Sequence, residues 1–295
     1  MFKSLNQAMS CLVVLAMASL SAHTVAEEVD DASAASFAEK NATDTTDRSG
    51  TNPVNFARDI RIYNEYSWLN TEGDGHQNVT TLEYRQALFD GEWQFRTKVP
   101  YIGSFKADFN DDGSDDLDES GLGDVNFRLL KKPWFKGRHA IAPALEVFLD
   151  TASEDELGSG NTILGPQVFY AYFFGSNPIP IPGYTGGGLF APGVQYRFSI
   201  DEDRGRRKTD AIAIDINYLA MAESKTRWLF INPQILLDQE NNDEYAFIDI
   251  EFGWMMAKWF PEMKGHSFYV RPSFTVGADR PSDYGIELGY KIVGW

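Results

Sequence analysis

The sequence predicts an all-β chain, an antiparallel transmembrane β-barrel of about twelve strands and of outer-membrane type. Three observations predict it. From Phe56 to the C-terminus, apolar residues alternate with polar ones in twelve successive segments; alternate connections are rich in Asp, Glu, Gly and Asn; and aromatic residues gather at segment ends. Beyond the N-terminus there is no apolar run of the ~18 residues that a membrane helix needs, and barrel strands never produce one.

Residues 1–26 read as a cleaved signal peptide. Lys3 supplies the positive start, Cys11 to Leu20 the apolar stretch, and Thr24-Val25-Ala26 the small residues before Glu27, with Ala22 as a second cleavage point. Cys11 is the only cysteine, so the exported chain has no disulfide framework and depends on a large core or a closed sheet. Residues 27–55 are rich in Ala, Ser, Thr, Asp and Glu with Phe37 as the one aromatic, which predicts a disordered acidic periplasmic tether. A formal net charge of −17 makes nucleic acid a poor partner.

The barrel is assigned to residues 56–295. Its clearest segment is the third, where Trp93, Phe95, Thr97, Val99 and Tyr101 alternate with Glu92, Gln94, Arg96, Lys98 and Pro100. Ile60, Ile62, Tyr66 and Trp68 mark the first, Leu82, Tyr84 and Leu88 the second, and Val125, Phe127 and Leu129 the fourth. The fifth to seventh carry Ile141 to Leu149, Val168 to Phe174 and Val194 to Ile200; in the sixth the opposite face is apolar as well. The last five centre on Ile214, Ile231, Ile250, Val270 and Leu288. Alternation alone does not say which face is wet, and a soluble barrel or sandwich uses the same pattern with its apolar face inward.

Three features favour the membrane. If the first strand runs outward, the external connections are 70–78, 103–120, 150–161, 201–209, 238–243 and 278–283, nearly all acidic or glycine-rich. Trp68, Tyr101, Trp134, Phe135, Phe174, Trp228, Trp259 and Phe260 stand near strand ends, where rings suit the headgroup layer. The chain also ends in a strand on Trp295, although Gly289 and Lys291 share its register and the apolar series Ile286, Leu288, Tyr290, Ile292 lies one residue out, which leaves that strand's register open.

Two glycine-bearing stretches carry a resemblance. Ser120-Gly-Leu-Gly-Asp124 opens a strand that runs to Leu130, and after the strand His139 to Leu149 comes Asp150-Thr-Ala-Ser-Glu-Asp-Glu-Leu-Gly158-Ser-Gly160. Over about 45 residues this resembles the outer-membrane family named for the meta-pathway of phenol degradation, with Asp150-Thr151-Ala152 standing where that family has Pro-Thr-Gly. The resemblance implies a porin-like, transporter-like β-barrel of the Gram-negative outer membrane that passes small aromatic or other hydrophobic compounds inward by passive diffusion. Fold membership alone does not establish a permeant.

The faces opposite the apolar stripes carry both charge signs. About twelve strands leave a lumen that side chains largely fill, so a restricted channel is favoured over a wide pore. Arg85, Arg96, Lys98 and Arg128 on neighbouring strands are the candidate constriction lining, with Glu83, Glu92 and Asp124 as candidate ion-pair partners. Asp108, Asn110, Asp112 and Glu119 fit the spacing of an EF-hand Ca²⁺ loop, but without flanking helices and with Asp115 where an apolar residue belongs. The same loop reads alternatively as an acidic surface bridged by divalent ions to lipopolysaccharide, one expected partner beside outer-membrane lipid and a small-molecule permeant; no other cofactor is expected.

An enzyme is not expected. His266 and Ser267 are adjacent and point to opposite faces of a strand, His76 and His139 sit at opposite membrane faces, and no nucleophile elbow, paired-His metal motif or phosphate loop occurs. A sealed structural or surface barrel is the alternative to a channel, and an outer-membrane lipid hydrolase ranks last. The oligomeric state is not legible in the sequence.

Overall fold

The computed structural model describes residues 53–54, 56–71, 73–108, 116–201 and 208–294. The expected signal peptide, most of the tether, Asn110, Asp112 and Trp295 lie outside them. Fourteen strands occur among the described residues: β1 Asp59–Leu69, β2 Gly75–Leu88, β3 Trp93–Ala107, β4 Leu117–Leu122, β5 Asn126–Lys131, β6 Trp134–Lys136 and β7 His139–Phe148, followed by β8 Ile163–Phe174, β9 Gly188–Ser199, β10 Asp210–Met221, β11 Arg227–Asp238, β12 Asp243–Met255, β13 His266–Gly277 and β14 Ser282–Val293. All pairings are antiparallel and run between neighbours in the chain, and β1 closes on β14. The strands β4 and β5 both pair with β3 and form one stave interrupted at 123–125, while β6 is a three-residue spur on β7. The chain is therefore a closed barrel of twelve staves, as the alternation predicts.

The apolar face points outward. Ile62 is 51% exposed and Leu288 56%, while Arg61, Glu83 and Lys291 on the opposite face are buried. A soluble barrel would invert this arrangement, so the distribution is that of a barrel solvated by lipid.

The last strand's register is settled by pairing. β14 runs against β1 without interruption from Asp59↔Val293 to Trp68↔Tyr284, so Ile286 and Leu288 face out while Lys291 faces in. Gly289 also faces in, because a Cβ there would stand 2.1 Å from the Tyr269 ring.

The strands extend further than the apolar pattern suggests. β2 begins at Gly75 and β3 continues to Ala107, with register shifts at Asn78/Val79 and Ile102/Phe105. Hairpin ends that stand in water keep their backbone ladder but have no reason to alternate in polarity, so the sequence signal stops before the strand does.

Rings form two outer girdles. Trp68 stacks on Tyr284 at the end away from the chain termini, and Trp254 and Trp259 stack on Phe268 at the terminal end. Two of the expected girdle rings belong elsewhere: Trp228 is wholly buried in the lumen and Phe174 is buried against Tyr218.

The glycine-rich stretches 120–124 and 150–160 meet at the break between β4 and β5. The Asp124 carboxylate accepts the backbone N–H groups of Thr151 and Ala152 at 3.1 Å and of Ser159 at 2.6 Å, plus the Ser159 hydroxyl at 2.8 Å. Gly121 and Gly158 are small because a Cβ would meet Ser153 Oγ at 2.0 Å and Asp124 Oδ1 at 2.6 Å. Asp124→Ala is expected to lose about 1–3 kcal/mol of local stability in the 149–162 connection, read as faster hydrogen exchange at the Thr151, Ala152 and Ser159 amides.

Candidate functional site

Period two aims every second side chain into the lumen, and register brings charged ones into rows. One row runs Asp59↔Arg85↔Arg96↔Arg128↔Glu146 across β1, β2, β3, β5 and β7. Three arginines stand directly opposite one another between two terminal carboxylates. The next row, toward the far mouth, runs Arg61↔Glu83↔Lys98↔Asn126↔Phe148.

The carboxylates are shared unevenly. Glu83 accepts from Arg85 Nε at 2.6 Å and lies 3.5 Å from Arg61 Nε, with Lys98 Nζ at 3.9 Å. Asp59 lies 3.2 Å from Arg61 and 3.8 Å from Arg85. Arg96 pairs with Glu146, whose second oxygen accepts from Gln195 Nε2 at 2.9 Å, and also donates to Asn126 Oδ1 at 3.1 Å. Arg128 instead stacks over the Phe169 ring, 5.7 Å from its centroid.

The structure thus brings together five of the seven expected lumen residues: Glu83, Arg85, Arg96, Lys98 and Arg128. Asp124 also reaches the lumen cavity, but its carboxylate is committed to the 149–162 connection and does not neutralise the basic row. Glu92 is a correction. It sits in the β2–β3 turn at the terminal end, outside the barrel wall, where Lys131 Nζ donates to it at 2.8 Å and Lys132 lies at 3.8 Å. The Lys131 hydrogen bond and charge hold its carboxyl below the usual carboxylate range. The alternation continues unbroken through Glu92, and only the turn shows that the wall has ended.

The polar faces expected to look into the lumen also bring together charged residues outside the candidate constriction, Asp215, Asp249, Glu251, Arg271, Glu287 and Lys291, whereas Trp228 and Tyr269 beside them were not expected there. On β11 to β14, Glu251 is fully buried and accepts from Trp228 Nε1 at 2.6 Å, Lys291 Nζ at 2.9 Å and Arg271 Nε at 3.2 Å. Arg271 also lies 3.2 Å from Glu287, to which the Tyr269 hydroxyl donates. Asp215 and Asp249 accept from Gln167 and Gln234 at 3.3 and 3.2 Å, on staves that face the arginine row across the barrel. The row and these carboxylates thus stand on opposite sides of the lumen.

The terminal half of the lumen carries an apolar cluster on the side of β5 to β11. Leu130, Ala142, Phe169, Phe173, Leu189, Leu219 and Phe230 pack there, and Val54, ahead of β1, is wholly buried among them with Phe56 against the cluster. The expected tether thus ends inside the barrel mouth. The doubly apolar sixth segment was the sequence signal for this floor: Phe169, Ala171 and Phe173 face in while Val168 faces lipid. Above it lies a cavity of about 380 Å³ lined by Arg128, Lys98, Arg197, Phe148 and Phe169 among others.

For the loop expected to bind Ca²⁺, Asp108 is buried and its backbone N–H donates to Asp74 O at 3.1 Å, while Glu119 lies on β4 opposite Phe105. Among the described residues no group of three or more His, Cys, Asp or Glu is placed to hold a metal. His76 Nε2 stands 3.1 Å from Ser104 Oγ, and its ring stacks on Tyr66 at 5.4 Å. His139 and His266 pair with the hydroxyls of Tyr170 and Tyr290.

No family model and no curated protein matches the sequence. Among solved structures the chain is similar to an outer membrane channel from Pseudomonas putida F1, at 11% identity and a TM-score of 0.57 over 80% of this chain and 95% of that one. The β domain of a Bordetella autotransporter matches at 9% identity and a TM-score of 0.46, over 80% and 99%. The first likeness is one of fold: a closed antiparallel barrel of outer-membrane type.

Proposed function

We propose that the chain is exported by its N-terminal signal and forms a restricted channel in the outer membrane, passing small aromatic or other hydrophobic compounds. The observation that carries this reading is the inside-out side-chain distribution combined with a lumen cavity of about 380 Å³. A merely structural barrel has no use for a chamber walled on one side by rings and on the other by arginines. The permeant class is taken from the phenol meta-pathway resemblance alone.

In this reading Arg85, Arg96, Lys98 and Arg128 line the constriction, and Val54 and Phe56 narrow the periplasmic mouth. Divalent ions such as Ca²⁺ bridge the acidic 108–119 segment to lipopolysaccharide phosphates; loss of lipopolysaccharide co-purification after chelation tests this. Planar bilayers test the channel itself. Small, reproducible conductance steps that an aromatic solute reduces are expected, and insertion without conductance would favour a sealed barrel. Lys98→Gln is the cleanest selectivity variant, since Lys98 is only loosely held by Glu83, whereas a glutamate at position 96 would face Glu146 and one at position 98 would face Glu83. It is expected to shift the reversal potential in a salt gradient toward cation preference by a factor of a few.

A further inference from the structure

The described residues lining the cavity include seven arginines and lysines but only four carboxylates, in a chain whose net charge is −17. An acidic protein has concentrated a cationic surplus in this chamber. Directly opposed like charges in adjacent strands destabilise a sheet, yet Arg85, Arg96 and Arg128 stand in register on three neighbouring strands.

Most of that charge is neutralised locally. Arg61, Arg85, Arg96 and Arg271 each lie within ion-pair distance of a carboxylate. Arg128 does not. It is 5% exposed, its buried Nε has no hydrogen-bond partner, among the described residues it forms no ion pair within 4.0 Å, and the Phe169 ring lies beneath it. Arg197 repeats the arrangement, with its guanidinium over Phe148 at 5.2 Å and one bond to Gln195 Oε1 at 2.6 Å, again without a carboxylate.

A buried guanidinium with unused donors is costly unless something completes it. The planar donor fork matches a carboxylate, and the rings of Phe148, Phe169 and Phe230 beside it match an apolar body. A volume of about 380 Å³ suits a molecule of a dozen or so heavy atoms at most. We propose that the chamber is a binding site for a small organic carboxylate with an apolar body, its carboxylate held by Arg128 with Lys98 and Arg197 adding charge. This deepens the channel reading by naming the permeant's charge, and rests on that reading only for the consequence that such an anion passes through.

The test measures binding separately from transport. The purified full-length barrel in detergent is titrated calorimetrically at low ionic strength with sodium benzoate and with benzyl alcohol, its neutral counterpart. Benzoate is expected to saturate one site and benzyl alcohol to bind at least tenfold more weakly. Arg128→Met is expected to weaken benzoate at least tenfold, and Arg128→Lys less, with heat-modifiable gel migration confirming that each variant is folded. Since Arg128 holds nothing else in place, both variants should fold. Equal affinity for the two solutes, or benzoate binding unchanged in Arg128→Met, overturns the site. Conductance without benzoate binding overturns the site and leaves the channel, whereas benzoate binding without conductance leaves the site and overturns the channel.

Discussion

Replacing Glu251 with alanine is expected to destabilise the barrel by about 3–5 kcal/mol, the cost of stranding buried charge by removing one partner. Glu251 is fully buried and is the shared acceptor for Lys291, Arg271 and Trp228. Arg271 retains Glu287, whereas Lys291, itself fully buried beside the rings of Tyr269 and Trp228 at 4.2 and 5.3 Å from their centroids, would lose the carboxylate it donates to. The ammonium would lose its counter-charge without gaining water. Urea unfolding of protein reconstituted in liposomes measures the loss. A Glu251→Leu, Lys291→Met double variant is expected to recover much of it, because taking both charges away removes the stranded cation. A single-variant loss below about 1 kcal/mol would mean that water reaches this cluster.

Converting Val54 and Phe56 to aspartate is expected to raise single-channel conductance several-fold. Burying valine contributes about 1.5–3 kcal/mol. An isolated carboxylate in the same apolar surroundings costs considerably more than that, so the segment ahead of β1 should leave the lumen for water. Val54 is wholly buried against the apolar cluster in the terminal half of the barrel, and Phe56 packs on the same cluster. The wall would be untouched, since β1 starts at Asp59 and pairs from its first residue. Unchanged conductance in planar bilayers would place the narrowest point elsewhere, at the arginine row.

The twelve staves were legible because a barrel wall writes itself into sequence one residue at a time. Each stave between lipid and lumen must alternate, so Ile60, Ile62, Tyr66 and Trp68 and their eleven counterparts announce both number and phase. The basic row was legible for the same reason: Arg85, Arg96 and Arg128 share a phase on successive strands. Glu92 was misplaced because phase persists beyond the wall; Asp124 reaches the lumen as expected, but its partners were not legible, because a carboxylate beside glycines looks the same whether it neutralises an arginine or accepts three backbone N–H groups.

The sequence by itself determined the strand count, the alternating faces and the residues that share a row, since these follow from period two and from connections too short to permit any other pairing. Only the tertiary structure decided which face is wet, where the apolar floor lies, that Val54 enters it, and that Glu146 is spent on Arg96 while Arg128 has no carboxylate. The physical reason is closure. Alternation is unchanged by turning the sheet inside out, and which charge neutralises which depends on distances across the curved wall that exist only once β1 has met β14.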